Sequence, residues 1–157
     1  MDISVESAKL ADACKRDKIL LVEDNYANRD MLVRRLTRHG FDVCFAVDGP
    51  SGVEMAVKES PDVILMDVAL GAMDGWEATR LIKAGASTAH IPVIALTAHA
   101  LATDRDKSIA VGCADFDTKP VDLSRLIGKI RACLMRMRIE SQREQVGKNE
   151  ERHVLYR

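Results

Sequence analysis

The chain has 157 residues and a formal net charge of −1, and 47% of its side chains are apolar and 30% charged, an ordinary composition for a globular domain. This length favours one domain, and the near-neutral charge gives no overall attraction to nucleic acid or to anionic membranes. No apolar run approaches the ~20 residues that span a bilayer, and the acidic first residues do not form a signal peptide, so the sequence predicts a cytoplasmic protein.

Short apolar runs alternate with amphipathic stretches after a polar leader, residues 1–16. Runs of this length suit buried parallel strands. The stretches between them begin with residues that cap helices, such as Asn25 and Asp48, and glycines follow several of them. Asp74 is expected to cap the third helix. The predicted strands cover residues 18–23, 41–47, 62–66, 91–97 and 114–117.

Five such strands, alternating with five helices, indicate an α/β domain with a doubly wound parallel sheet. The last helix is predicted to begin near residues 121–122. Its apolar positions recur at spacings of three and four, which predicts a docking face that extends into a short coiled coil; the residues are Ile127, Ile130, Leu134 and Met137. We expect the folded domain to cover residues 17–138, with a polar extension, helical or disordered, over residues 139–157.

Polar side chains stand where the predicted strands end. Glu23 and Asp24 close the first strand, Asp67 the third and Thr97 the fourth, while Lys119 follows the fifth. Ligands of parallel α/β sheets bind beyond the carboxyl ends of the strands, so these groups should share one edge. Two carboxylates about 4 Å apart repel by roughly 4 kcal/mol at an effective dielectric near 20, and a hard divalent cation would remove that cost. The pattern suits metal-assisted transfer of a phosphoryl group to a carboxylate.

Five motifs, in this order, resemble those of the receiver domain of bacterial two-component response regulators. The resemblance runs from about Lys18 to Cys133, which is most of the chain, and it implies a five-stranded flavodoxin-like receiver fold with five helices. The motifs are Leu21-Val22-Glu23-Asp24-Asn25, Leu65-Met66-Asp67-Val68, Met73-Asp74-Gly75, Leu96-Thr97-Ala98 and Thr118-Lys119-Pro120.

The resemblance implies a role for each residue of the site. Asp67 is the phosphoacceptor, and its donor is a histidine kinase or a histidine phosphotransfer protein. Asp24, Asp67 and the backbone carbonyl of Ala69 would bind Mg²⁺ (or Mn²⁺), with Glu23 acting through a bound water. Lys119 would pair with Asp67 and then with a phosphoryl oxygen.

Two further positions resemble the switch residues of this family. The hydroxyl of Thr97 would donate to the new phosphoryl group and move the loop that follows it. Phe116 would then rotate inward, and the alternative for Phe116 is plain core packing. Gly71 departs from the proline common in the family, so the loop after Asp67 should be more flexible. Ala69 and His99 occupy positions that, in the family, set how fast the acyl phosphate hydrolyses.

The function implied is that of a single-domain response regulator that accepts a phosphoryl group and signals by contact between proteins. Such a chain catalyses its own phosphorylation and dephosphorylation without turning over another substrate. The alternative is a receiver-fold interaction module that works independently of phosphorylation. A homodimer through the fourth helix, fifth strand and last helix is expected, because such dimers are common in receivers.

Other functional classes lack their sequence signals. No glycine-rich phosphate loop follows the first strand, which disfavours a nucleotide- or flavin-binding domain. No second helix-turn-helix or basic domain is present to bind DNA. The four cysteines have no C-x-x-C spacing and predict buried or half-buried thiols in a reducing compartment; they are Cys14, Cys44, Cys113 and Cys133.

Overall fold

The computed structural model describes residues 15–99 and 101–154. Most of the predicted leader, and Cys14 with it, therefore lies outside the described residues. In chain order the strands and helices are β1 (Lys18–Val22), α1 (Tyr26–Arg38), β2 (Asp42–Ala46), α2 (Gly49–Glu59), β3 (Val63–Asp67), α3 (Gly75–Ala84), β4 (Val93–Thr97), α4 (Ala102–Ala110), β5 (Asp115–Thr118) and α5 (Leu123–Val154).

All five strands are parallel and are ordered β2-β1-β3-β4-β5, which confirms the doubly wound sheet with five helices. Each residue of β3 and β4 is buried, because helices cover both faces of the sheet. The register pairs Val22 with Met66 and Thr97 with Thr118. Neighbouring strands therefore end at nearly the same level, and the residues that follow them meet at one edge.

Successive strand residues point to opposite faces of the sheet, which produces two apolar cores. Ile19 and Leu21 of β1 pack on one side with α1 and α5, while Leu20 and Val22 pack on the other side with α2 and α3. The docking face predicted for the last helix is confirmed, since three of its residues belong to the first core: Ile127, Ile130 and Leu134. Helix α4 contributes only Ser108 to the buried set.

The strand boundaries differ from the predicted ones by one or two residues. β4 begins at Val93 rather than residue 91, because Pro92 has no backbone N–H to pair with a neighbouring strand. β3 includes Asp67, which lies opposite Leu96 in the register.

Helix caps follow the sequence closely. Asn25 Oδ1 accepts the N–H of Asn28 at 3.0 Å, and Asp74 Oδ1 accepts the N–H of Glu77 at 2.8 Å. Asp48 forms a capping box at the start of α2. Each cap satisfies a backbone donor that has no partner inside its helix.

Helix α5 continues well past the sheet, to Val154. The helix leaves the rest of the domain after Arg138, whose guanidinium lies 2.7 Å from Oδ1 of Asp17, the residue just before β1. The residues from Ile139 to Arg152 are exposed along the helix. No helix among the described residues combines the length and hydropathy that crossing a bilayer requires. The division of the chain at residues 17 and 138 stays a prediction.

Candidate functional site

Two neighbouring strands bring three carboxylates together. β1 and β3 are paired up to Val22 and Met66, so Glu23 and Asp67 follow side by side and Asp24 comes next. One carboxylate oxygen from each of the three acids lies within 4.8 Å of the others. Glu23 is 1% exposed and Asp67 2% exposed, whereas Asp24 is open to solvent. The cluster is therefore a mostly buried pocket with one accessible carboxylate at its rim.

A single ammonium group joins the two buried acids. Lys119 Nζ lies 3.0 Å from Glu23 Oε2 and 3.1 Å from Asp67 Oδ1. The lysine enters from the loop between β5 and α5, where its backbone N–H donates to Thr97 O at 2.7 Å. The peptide bond between Lys119 and Pro120 is cis. The fifth strand thus delivers a cation to the acids of the first and third.

The charges of this group influence one another. Burial raises the pKa of Glu23, the charge of Asp67 adds to that effect, and the opposing hydrogen bond from Lys119 does not cancel it. Burial alone would lower the pKa of Lys119, but its hydrogen bond to Glu23 and the charge of Asp67 outweigh burial and raise that pKa. Lys119 consequently stays charged throughout the physiological range and partly offsets the repulsion between the acids.

The two oxygens of Asp67 differ in their surroundings. Oδ1 accepts the N–H of Ala69 at 3.1 Å and also faces Lys119. Among the described residues nothing donates a hydrogen bond to Oδ2. This oxygen is, however, not fully buried. One oxygen is therefore held by the protein, and the other is available for chemistry.

The donor set fits a hard divalent cation. It consists of carboxylate oxygens from Glu23, Asp24 and Asp67, with no sulfur or imidazole donor in the group. Such oxygen ligands suit Mg²⁺ and Mn²⁺. Ala69, for which the resemblance implies a carbonyl ligand, lies beside Asp67 and is exposed; that role stays a prediction.

The two expected switch residues lie farther along the sheet. Thr97 is the last residue of β4. Its hydroxyl donates to His99 O at 3.2 Å and accepts the N–H of His99 at 3.2 Å. Among the described residues no hydrogen bond joins Thr97 to Asp67. Phe116 is half-buried on β5, and its ring lies 5.3 Å from Lys129 Nζ. Both residues are thus positioned by contacts outside the acid pocket.

Arg29, which binds the backbone of two acids of this pocket, was not predicted from the sequence. Its Nη1 donates to Glu23 O at 3.0 Å and to Asp24 O at 3.4 Å. The guanidinium also stacks on Tyr26 and Phe45, at 5.6 and 5.2 Å from the ring centres, a contact that attracts a cation to the aromatic face. The available signal was an arginine in the first turn of the helix that follows the paired acids.

An ion pair beside Lys119 was also missed. Asp117, 1% exposed on β5, accepts a hydrogen bond from Arg125 Nε at 2.7 Å. The sequence signal for this pair was a charged residue in the middle of a short strand, because charged residues are almost never fully buried unless paired.

The family described as Response regulator receiver domain matches residues 19–131. The response regulator PleD of Caulobacter vibrioides is 39% identical over 115 residues, which cover 73% of this chain and 25% of PleD. Protein PilH of Pseudomonas aeruginosa is 38% identical over 117 residues, which cover 74% of this chain and 97% of PilH. The chain thus spans about a quarter of PleD but nearly all of PilH.

Solved structures share the same fold. The receiver domain of the sensor histidine kinase PA1611 of Pseudomonas aeruginosa is 36% identical, with a TM-score of 0.71, and the match covers 76% of this chain and 98% of that domain. That structure holds a magnesium ion coordinated in its active-site cleft. The acidic cluster described above offers carboxylate oxygens, which suit an ion of this kind.

Proposed function

Because the chain belongs to the response regulator receiver domain family of two-component signalling, we propose that Asp67 accepts a phosphoryl group from a phosphohistidine. The donor is a histidine kinase or a histidine phosphotransfer protein, and the phosphorylated chain signals by contact between proteins. The observation that carries this proposal is the buried carboxylate of Asp67 held 3.1 Å from the ammonium of Lys119, beside two further acids.

The reaction begins at the Asp67 oxygen that the protein leaves without a partner. Oδ2 attacks the phosphorus while Oδ1 keeps its contacts with Ala69 and Lys119. The bond between phosphorus and the imidazole nitrogen breaks, its electron pair stays on the ring, and an aspartyl phosphate forms. Hydrolysis later restores the carboxylate, so the chain acts once per phosphoryl group instead of turning over a separate substrate.

Asp24 and Asp67, with the carbonyl of Ala69, would hold Mg²⁺ or Mn²⁺, and Glu23 would contribute through water. When bound, the ion neutralises phosphoryl oxygens during the transfer. The acids themselves keep the ion site charged and hydrophilic at the rim. Asp24, which is exposed, gives the ion a route in from solvent.

Lys119 supplies a fixed positive charge during the transfer. Before the reaction its ammonium is shared between Glu23 and Asp67. As charge develops on the phosphoryl oxygens, the same ammonium can donate to one of them with little movement. An ammonium held in a partly buried site stabilises such charge better than solvent does, because it needs no reorganisation.

Thr97 and Phe116 would transmit the change. The Thr97 hydroxyl now donates to His99 O, and a phosphoryl oxygen is a stronger acceptor than a neutral carbonyl. Reversing a two-state equilibrium from 1:99 to 99:1 needs about 5.5 kcal/mol, and charged hydrogen bonds contribute about 1.5–3 kcal/mol each. Two new bonds to the phosphoryl group at the upper end of that range, or three near its middle, supply this amount.

Acetyl phosphate tests the phosphoacceptor. With Mg²⁺ present, intact-mass spectrometry should find one added phosphoryl group on the wild type and none on Asp67→Asn. Asp106→Asn, an exposed acid on α4, is the matched control and should be phosphorylated normally. A wild type without an adduct would contradict the proposal and favour the interaction module, for which wild type and Asp67→Asn would bind a partner equally well.

A homodimer through α4, β5 and α5 belongs to the same proposal. These elements carry large apolar side chains that are open to solvent: Ile109 on α4 is 63% exposed and Met135 on α5 is 62% exposed. Sizing chromatography with Mg²⁺ and beryllium fluoride, which mimics the phosphoryl group, should give an earlier elution than without it. A monomer under both conditions would remove the dimer from the proposal.

A cytoplasmic location is likewise proposed, since the histidine phosphodonors act there.

A further inference from the structure

The carbonyl that immediately precedes Lys119 is tied to an ion pair whose carboxylate is buried and whose guanidinium is exposed. Arg125, on the first turn of α5, donates from Nε to Asp117 Oδ1 at 2.7 Å and from Nη2 to Thr118 O at 3.3 Å. Asp117 Oδ1 also accepts the N–H of Thr118 at 2.8 Å. One guanidinium therefore links the side chain of residue 117 to the backbone of residue 118.

Stability does not explain why Asp117 is there. Its carboxylate is 1% exposed, and Oδ2 has no hydrogen-bond partner among the described residues. Opposite it on β4 lies Leu96, an apolar residue. Taking the Asp117 carboxylate out of water carries a desolvation cost, which a partner that stays 43% exposed offsets only in part. In some proteins a charged pair of this kind is retained because it specifies one particular geometry.

The geometry in question is that of Lys119. Its N–H is fixed by Thr97 O, and the carbonyl of the preceding residue is fixed by Arg125. These two bonds hold both sides of the backbone from which a flexible four-carbon side chain reaches Glu23 and Asp67. A displacement of about 1 Å at the base of such a side chain is enough to weaken catalysis strongly.

We propose that Asp117 and Arg125 form a positioning pair that aims Lys119 at the phosphoryl site. This inference rests on the proposed function, because it assigns the pair a part in the same site. Neither residue touches the phosphoryl group. Arg125 suits the task because its planar fork holds two acceptors at once, which a lysine at the same position cannot do.

The test replaces the pair by apolar residues of similar size, as Asp117→Leu combined with Arg125→Leu. Binding of beryllium fluoride, measured with Mg²⁺ in excess, should weaken about tenfold, which corresponds to about 1.4 kcal/mol. Binding of Mg²⁺ alone should stay unchanged, because its ligands do not contact the pair. The midpoint of thermal unfolding should stay equal or rise. The single tryptophan, Trp76, follows Gly75, whose N–H donates to Val68 O beside Asp67, and it provides the fluorescence signal.

Two further variants complete the design. Arg131→Leu, an exposed arginine on the same helix, should bind beryllium fluoride like the wild type. Arg125→Lys, which keeps the charge but holds one acceptor, should fall between wild type and the double variant. The inference is wrong if the double variant binds beryllium fluoride normally, or if Mg²⁺ affinity falls in parallel. A wild type that binds neither probe would instead overturn the proposed function, and the inference with it.

Discussion

Gly75 shows how closely the backbone approaches the acid pocket. A Cβ at this position would lie 2.2 Å from Asp67 O and 2.8 Å from the Cα of Val68, and both neighbours are backbone atoms that cannot turn aside. The N–H of Gly75 also donates to Val68 O at 3.0 Å. The start of α3 therefore rests directly on the residue that bears the candidate nucleophile.

We expect Gly75→Ala to lower the free energy of unfolding by about 1–3 kcal/mol, because the added methyl group must displace backbone. Gly71→Ala, in the loop that leads into α3, is the matched control, because a Cβ there meets nothing within 4 Å. It should stabilise the protein by about 0.4–1 kcal/mol by restricting the unfolded chain. Urea unfolding measures both, and equal midpoints for the two variants would contradict this account of the loop.

The acids of the site could be predicted from sequence because they interrupt apolar runs, and the sheet then places them together. Glu23, Asp24 and Asp67 belong to that group, and Lys119 could be predicted from its place after the fifth strand. Arg29 and Arg125 could not be assigned in the same way, since each binds a backbone carbonyl. A carbonyl is present at every residue and leaves no mark in the sequence, so only coordinates reveal which one an arginine has bound.

At the scale of whole elements, α3 packs beside the turn that leads into β5. Cys113 follows Gly112 in that turn and is half-buried. Burial raises the pKa of the Cys113 thiol to about 11, although a hydrogen bond with Thr79 and the charge of Lys83 act in the opposite direction. The packing of these two elements thus keeps the thiol protonated at neutral pH.

Alkylation of Cys113 tests this packing. A pKa near 11 instead of 9 leaves about 100-fold less thiolate at pH 8, and the thiolate is the reactive form. Iodoacetamide labelling in the folded protein should accelerate with each pH step up to about pH 11, whereas labelling in urea should level off above pH 9. Peptide mass spectrometry separates Cys113 from the other cysteines. Equal rates in both states at pH 8 would show that the contact between α3 and the turn is loose.

The sign of the pH effect on stability follows from the same shift. The folded state holds the Cys113 proton more tightly than the unfolded state does, so the thiol has no effect well below pH 9. Between about pH 9 and pH 11 the unfolded chain loses this proton first, and the free energy of unfolding falls as pH rises. Cys113→Ala should flatten that part of the stability profile.

For the molecule as a whole, the fold could be predicted from the sequence, but the length of the last helix could not. Parallel strands covered on both faces leave an unmistakable run of apolar residues, and five of them with helices between leave few topologies. Beyond Arg138 the apolar spacing fades, and the sequence left a choice between helix and disorder. Helix α5 nevertheless reaches Val154, and its residues from Ile139 to Arg152 are exposed and belong to neither core.

Removing residues 140–157 should therefore leave the thermal unfolding midpoint close to that of the full chain. Truncation after Arg136 should lower the midpoint, because it also removes the half-buried Met137 and Arg138, which pairs with Asp17. Calorimetry of the two truncated chains beside the full chain makes the comparison. A large loss from the shorter deletion would mean that the projecting part of α5 stabilises the domain.

Helix α4 buries fewer of its own residues than any of the other four helices does. Its one buried residue is Ser108, so relocating this helix uncovers almost no apolar surface, and two placements can differ by a small free energy. Under the proposed function, a phosphoryl group on Asp67, at the end of β3 and opposite Leu96 of β4, would then be sufficient to favour one placement over the other. The rest of the sheet, covered by helices on both faces, would stay in place while that one helix changes position.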